Sequence, residues 1–179
     1  IKSKPGRYET IDGMRGFLAL FVFIHHCYIW RSYLATGEWS APGSTLYQHF
    51  GVTAVSFFFM ITAFLFITKL LKARDTGINW KQFYISRFFR LTPMYYVSVL
   101  CMILIILGLD QWHLNVSLIQ FAKDVVYWGL FTLLGPTFIN GNSLTFTTNA
   151  GVVWSLTYEW LFYLMLPIIA VLILTKKPN

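Results

Sequence analysis

Long apolar runs are the feature of this sequence that most restricts how the chain can fold. A helix needs ~20 residues to cross the ~30 Å of hydrocarbon in a bilayer. Only 12% of the 179 residues are charged, whereas soluble domains have about 25%. The sequence therefore predicts an all-α fold, a polytopic bundle of transmembrane helices, with about five spans at residues 13–30, 50–71, 89–108, 117–135 and 152–175.

The domain organisation follows from the same pattern. We expect one membrane domain over residues 1–179, because no internal repeat or low-complexity tract divides the chain. The chain begins at Ile1 rather than at a methionine, and it stops at Asn179, just after an apolar run. We therefore expect this domain to be an incomplete part of a longer one.

The net charge of +7 arises from basic residues that flank the apolar runs. They cluster at residues 2–7 and again between Lys69 and Arg90. This distribution is typical of cytoplasmic flanks and argues against nucleic acid as a partner. It predicts a cytoplasmic N-terminus and an outer loop at residues 31–49. Strict alternation would then put the basic C-terminal end outside, so we expect one span to be re-entrant or miscounted, most readily around residues 136–151.

The two cysteines, Cys27 and Cys101, both lie inside apolar runs. Their spacing matches no metal site or redox motif. We expect them to be small apolar side chains of the helix core, and we expect no bound metal.

Arg15 and His26 are ionisable residues within the first apolar run, and such residues usually face a bundle interior or a wet cavity. They are eleven positions apart, so on a helix they share one face and are ~16 Å apart along the axis. His25 is turned ~100° away from that face. The alternative is that Arg15 reaches lipid headgroups and that His26 only bonds a neighbouring helix.

Arg87 and Arg90, in the segment FYISRFFRLTP, are three residues apart and lie on one side of a helix or of its first turn. Two guanidinium groups at this spacing can bind phosphates through paired hydrogen bonds. Basic residues at the cytoplasmic start of a helix are, however, also common topology signals.

Glu159 lies about two turns into the last apolar run, with aromatic residues on both sides. A carboxylate there must be protonated or paired with a cation. We expect it near the line of Arg15 and His26, where a structural salt bridge to Arg15 is the simpler alternative to a catalytic role.

Four segments together resemble the acyltransferase-3 family. The first, IDGMRGFLALFVFIHH, resembles the family's opening, in which ten residues separate an arginine from a histidine, here Arg15 and His26. The second, AVSFFFMITAF, departs from the family's Asp and Ser-Gly pattern at Ser56 and at Thr62 and Ala63. These departures leave the subfamily open.

The other two segments follow in the family's order. SRFFRLTPMYY resembles the Arg-x-x-Arg segment, matched by Arg87, Arg90 and Pro93. WSLTYEWLFYLMLP resembles the Trp-Ser-Leu-x-x-Glu segment and is matched by Trp154, Ser155, Leu156, Glu159, Tyr163 and Pro167. The four segments span nearly the whole chain.

This resemblance implies an integral membrane enzyme of the bacterial cytoplasmic membrane. It would transfer an acyl group, expected to be acetyl, from acyl-CoA to a hydroxyl of a carbohydrate or glycolipid acceptor. Acyl-CoA would be a co-substrate, with no permanently bound cofactor. Arg87, Arg90 and Arg15 would bind the CoA phosphates at the cytoplasmic side.

The resemblance also assigns the chemistry. His26 would be the general base or would carry the acyl group itself, and Glu159 would orient the imidazole or balance its charge. The residues leave open the choice between direct attack and an acyl-histidine. A transporter or channel that uses intramembrane Arg, His and Glu is the alternative from another class of protein, and an unrelated membrane acyltransferase is the alternative among enzymes.

Overall fold

The fold is all-α, as the sequence predicts. A computed structural model describes residues 9–41, 43–74 and 77–174, and no strand occurs in those ranges. Four helices are long and apolar: α1 (Glu9–Thr36), α2 (Thr45–Lys72), α3 (Trp80–Leu109) and α6 (Val153–Leu174). Two are short: α4 (Leu118–Gly129) and α5 (Thr145–Thr148).

The four long helices each have enough apolar length to cross a bilayer, and no further helix in the described ranges does. Their outer surfaces carry large exposed apolar side chains such as Phe23, Met60, Val97 and Val171. Exposing such apolar surfaces to water is unfavourable, whereas contact with lipid is not. The prediction of a polytopic membrane bundle is therefore confirmed.

The segment predicted as the fourth span, residues 117–135, contains the 12-residue helix α4 instead of a long one. Twelve residues rise only ~18 Å. The Ser117 side chain accepts a hydrogen bond from the Gln120 backbone N–H and so caps the start of α4. After α4 the chain turns through Phe131 and Thr132, whose φ angles are positive. Of the five predicted spans, the first, second, third and fifth are long helices, and the fourth is the short helix α4.

The chain divides into two compact units, Ile1–Lys72 and Ala73–Asn179. In the first unit, α1 and α2 form an antiparallel hairpin. Its core contains Leu18, Ala54 and Ile61, and aromatic pairs extend the contact along the hairpin. Phe21 stacks on Phe50, and Tyr28 stacks on Tyr47.

In the second unit, α3 packs against α4, α5 and a 3₁₀ turn at Ile139–Gly141. Met102, Ile106, Trp128 and Ile139 are almost fully buried there. The side chain of Asn79 accepts a hydrogen bond from the Gln82 backbone N–H and so caps the start of α3.

A buried polar residue fastens the loop that follows α3. Asn140 is fully buried and its φ angle is +55°. Its side-chain amide donates to Asp110 Oδ2 at 2.7 Å and to the His113 carbonyl at 2.9 Å. Its side-chain oxygen accepts the Asn115 backbone N–H at 2.8 Å. This one side chain therefore joins the end of α3 to the 3₁₀ turn.

Cys27 and Cys101 are exposed on α1 and α3, so the expectation that they belong to the helix core is wrong. In a helix surrounded by lipid, apolar character does not require burial within the protein, because the lipid-facing surface is apolar as well.

Candidate functional site

The candidate residues of the first unit lie on α1, which is one continuous helix from Glu9 to Thr36. Arg15 and His26 therefore share a helix face, with ~16 Å of axial rise between them. Arg15 is half-buried, and its guanidinium carbon lies 6.0 Å from the centre of the Phe58 ring on α2. This distance permits a cation–π contact, which holds the arginine along the α1–α2 hairpin.

His25 and His26 have different environments although they are adjacent. His25 Nδ1 lies 2.7 Å from the Tyr47 carbonyl oxygen on α2, and since a carbonyl only accepts, Nδ1 carries the hydrogen. The ring fills the space beside Gly51, where an added Cβ would lie 2.6 Å from its atoms. His25 therefore fastens α1 to α2.

His26 has a buried ring nitrogen, and no side chain or backbone group in the described residues bonds it. Its Nδ1 atom is buried without a hydrogen-bond partner among them, and the whole side chain is half-buried. The His26 ring meets the His25 ring edge to face, with the ring centres 5.3 Å apart. Buried ring nitrogens in native proteins nearly always have a partner, so this atom is suited to a substrate or to a group supplied by another segment.

The candidate residues of the second unit begin with Arg87 and Arg90 on α3. That helix begins at Trp80, earlier than the predicted start at residue 89, so Arg87 lies about two turns inside it and Arg90 about three turns. Arg87 is half-buried, with its guanidinium carbon 6.0 Å from the centre of the Phe83 ring. Arg90 is exposed. The two cations therefore differ in how open they are to a ligand.

Glu159 is half-buried on α6 and has a hydrogen-bond partner one turn later. The Tyr163 hydroxyl donates to Glu159 Oε1. Arg87 lies nearby on α3, with its guanidinium carbon 6.0 Å from the centre of the Phe83 ring, and that ring meets the Tyr163 ring edge to face at 6.0 Å. A carboxylate and a guanidinium thus lie close to one phenol group in the second unit.

Tyr163 is the residue of this arrangement that sequence reasoning did not single out. Its side chain is 1% exposed. The sequence signal for its role was its position four residues after Glu159, because residues four apart lie on the same side of a helix. Whether Glu159 approaches Arg15 and His26, which belong to the first unit, stays a prediction.

A separate cavity of about 390 Å³ lies on another face of α6. Aromatic side chains form much of its wall: Trp128, Phe146, Trp154 and Tyr158. Glu159 is ~140° around the helix from Trp154. Polar wall groups are bonded within the protein, for example Trp128 Nε1 to the Thr137 carbonyl at 3.0 Å. The cavity is therefore chemically apolar.

The long apolar helices, with Arg, His and Glu side chains within them, define an integral membrane protein with a polar site. The family described as an acyltransferase domain matches residues 8–179. The chain belongs to this family, the acyltransferase-3 family that its motifs resemble, and so to the membrane acyltransferases.

One curated relative is similar to most of this chain and is itself longer. It is nodulation protein 10 of Rhizobium leguminosarum bv. viciae, and it is 26% identical over 172 residues. The match covers 92% of this chain and 44% of the relative. The chain therefore spans less than half the length of that protein. No solved structure matches.

Proposed function

We propose that the protein transfers an acyl group, expected to be acetyl, from acyl-CoA to a hydroxyl of a carbohydrate or glycolipid acceptor. One observation carries the proposal: a chain of the acyltransferase-3 family has a buried imidazole nitrogen, His26 Nδ1, without a partner among its described residues. Buried polar atoms nearly always have a hydrogen-bond partner, so a purely structural role does not explain why this imidazole nitrogen has none among the described residues. It is the natural group to move a proton there.

Arg87 and Arg90 are proposed to bind the phosphates of acyl-CoA. Arginine binds phosphate better than lysine because its planar group donates two parallel hydrogen bonds. Arg90 is exposed and Arg87 is half-buried on the same side of α3, so a phosphate can approach the first while the second lies closer to α6. Arg15 is proposed as a further cation for the donor, with Phe58 beneath it.

His26 is proposed to act as the general base. The acceptor oxygen attacks the thioester carbonyl carbon, and neutral imidazole takes the hydroxyl proton. The C–S bond then breaks, and the CoA sulfur takes the proton from the imidazolium. In the alternative route, a ring nitrogen of His26 attacks the thioester carbonyl carbon, the C–S bond breaks, and the leaving CoA sulfur takes the proton from the other ring nitrogen. The acceptor oxygen then attacks the acyl carbon, the C–N bond to His26 breaks, and the imidazole takes the hydroxyl proton. Both routes return the imidazole to its neutral form.

Glu159 is proposed to balance positive charge at the site or to orient the imidazole of His26. Its carboxylate accepts a hydrogen bond from the Tyr163 hydroxyl, which holds the side chain in one orientation. Removing the charge with Glu159→Gln should therefore lower transfer and leave insertion intact.

We propose a cytoplasmic N-terminus and, from the family resemblance, a location in the bacterial cytoplasmic membrane. The helix count supports the proposed orientation. If each of the four long helices crosses once, the chain ends on the side where it began. The end of α6, which precedes Lys176 and Lys177 in the sequence, then lies on the same side as the basic stretch after α2. That arrangement satisfies the positive-inside tendency, which five crossings do not.

The test uses the full-length protein in lipid nanodiscs with acyl-CoA and a panel of sugar and glycolipid acceptors. The proposal expects free CoA to be released in step with acylated acceptor. Solute flux into liposomes that needs no acyl-CoA, with no acyl transfer, would instead favour the transporter alternative.

A further inference from the structure

Helices α3 and α6 meet at Tyr163. The Tyr84 hydroxyl on α3 donates to the Tyr163 backbone carbonyl at 3.0 Å. The Phe83 ring meets the Tyr163 ring edge to face, with the centres 6.0 Å apart, and Trp160 does the same from within α6 at 5.9 Å. With 1% of its surface exposed, the Tyr163 ring is held in one position.

The Tyr163 hydroxyl has two charged neighbours of opposite sign. It donates to Glu159 Oε1. Arg87 lies close by, because its guanidinium carbon is 6.0 Å from the centre of the Phe83 ring, and that ring is 6.0 Å from the Tyr163 ring. A guanidinium can only donate hydrogen bonds and an ionised carboxylate can only accept them, whereas a phenol hydroxyl does both. The tyrosine is therefore the type of side chain that can satisfy both groups at once.

We propose that Tyr163 is a positioning residue that links Arg87 to Glu159 through its hydroxyl and so sets the pose of the guanidinium that binds the acyl-CoA phosphates. This inference rests on the proposed function. A guanidinium has five N–H donors, and a contact to a neutral phenol occupies few of them. A direct bidentate pair with Glu159 would occupy two and would neutralise the cation. A bridge through a phenol, unlike that pair, does not neutralise the guanidinium.

The deciding variant is Tyr163→Phe, which keeps the ring and removes the hydroxyl. We expect KM for acyl-CoA to rise roughly ten- to a hundredfold, the range for hydrogen bonds to charged groups, with a smaller change in kcat. A role limited to helix packing would lower the yield of folded protein but would not change KM of the folded fraction.

The matched control is Tyr84→Phe. It removes one hydrogen bond between the same two helices, at the same tyrosine backbone, and touches no charged group. We expect its KM for acyl-CoA to equal that of the parent. Equal KM increases in Tyr163→Phe and Tyr84→Phe would overturn the proposal, because packing would then explain both.

A substrate-free arm separates this inference from the proposed function. Thermal unfolding of Tyr163→Phe, Glu159→Gln and the double variant measures the coupling between the two side chains. The bridge predicts that the second substitution costs less once the first is present. Additive effects, or a parental KM in Tyr163→Phe, would overturn the inference. A parent that transfers no acyl group would overturn the proposed function, and the unfolding cycle would still decide the bridge.

Discussion

The ring of His25 on α1 occupies the space where a side chain at position 51 of α2 would extend. An ideal Cβ on Gly51 would lie 2.6 Å from the His25 atoms Cδ2 and Nε2. The same ring donates from Nδ1 to the Tyr47 carbonyl at 2.7 Å. Small residues let membrane helices approach closely, and here the glycine admits an imidazole. This contact therefore also positions His26, the next residue of α1.

Gly51→Ala should loosen the α1–α2 hairpin. The added methyl group would push His25 away from the Tyr47 carbonyl, and overpacking of this kind costs about 1–3 kcal/mol. Thermal unfolding in detergent measures the loss, and acyl transfer should fall with it because His26 is adjacent. Gly16→Ala is the control, since nothing lies within 4 Å of a Cβ added there and alanine favours a helix. If the two variants are equally stable, the His25 ring moves aside for the added methyl group without any loss of stability.

Asn140→Ala should destabilise the second unit. Its side chain makes three hydrogen bonds, one of them to the carboxylate of Asp110, so removal should cost roughly 2–4 kcal/mol. Asn140→Gly separates two causes, because glycine accepts the φ angle of +55° without strain. If the side-chain bonds dominate, both variants unfold at a similarly lowered temperature. Parental stability in Asn140→Gly would show that the backbone conformation alone matters.

The double variant Arg87→Lys and Arg90→Lys should bind acyl-CoA more weakly than the parent protein. Lysine keeps the charge but loses the paired hydrogen bonds, and a charge-assisted contact contributes ~1.5–3 kcal/mol. Isothermal titration with CoA measures the change. Arg31→Lys, at an exposed position of α1, is the matched control for the substitution itself. Parental affinity in the double variant would mean that the two arginines only direct membrane insertion.

The sequence was sufficient to predict the long helices and the shared face of Arg15 and His26, because both follow from hydropathy and from 3.6 residues per turn. It was not sufficient at residues 117–135. Their composition suits a span, but the chain turns at Phe131 and Thr132, where the φ angles are positive. Neither residue type favours that conformation, so no local signal indicated the end of the helix.

Contacts between helices were the other part that sequence patterns did not provide. The fit of His25 against Gly51 requires knowing how α1 and α2 pair, and the bridge at Tyr163 requires knowing how α3 meets α6. Helical periodicity shows which residues share a face of one helix but does not identify the residues opposite that face. The structure therefore gives His25, Gly51 and Tyr163 contacts that the motifs did not indicate.

The central claim is that His26 performs the proton transfer or carries the acyl group. The most direct measurement is turnover of acyl-CoA and acceptor by full-length His26→Ala protein, compared with His49→Ala, which alters an exposed histidine of α2. Both variants should insert and purify like the parent. We expect His26→Ala to lose at least ~100-fold in turnover, as for removal of a general base, and His49→Ala to keep the parental rate. Parental turnover in His26→Ala would contradict the claim.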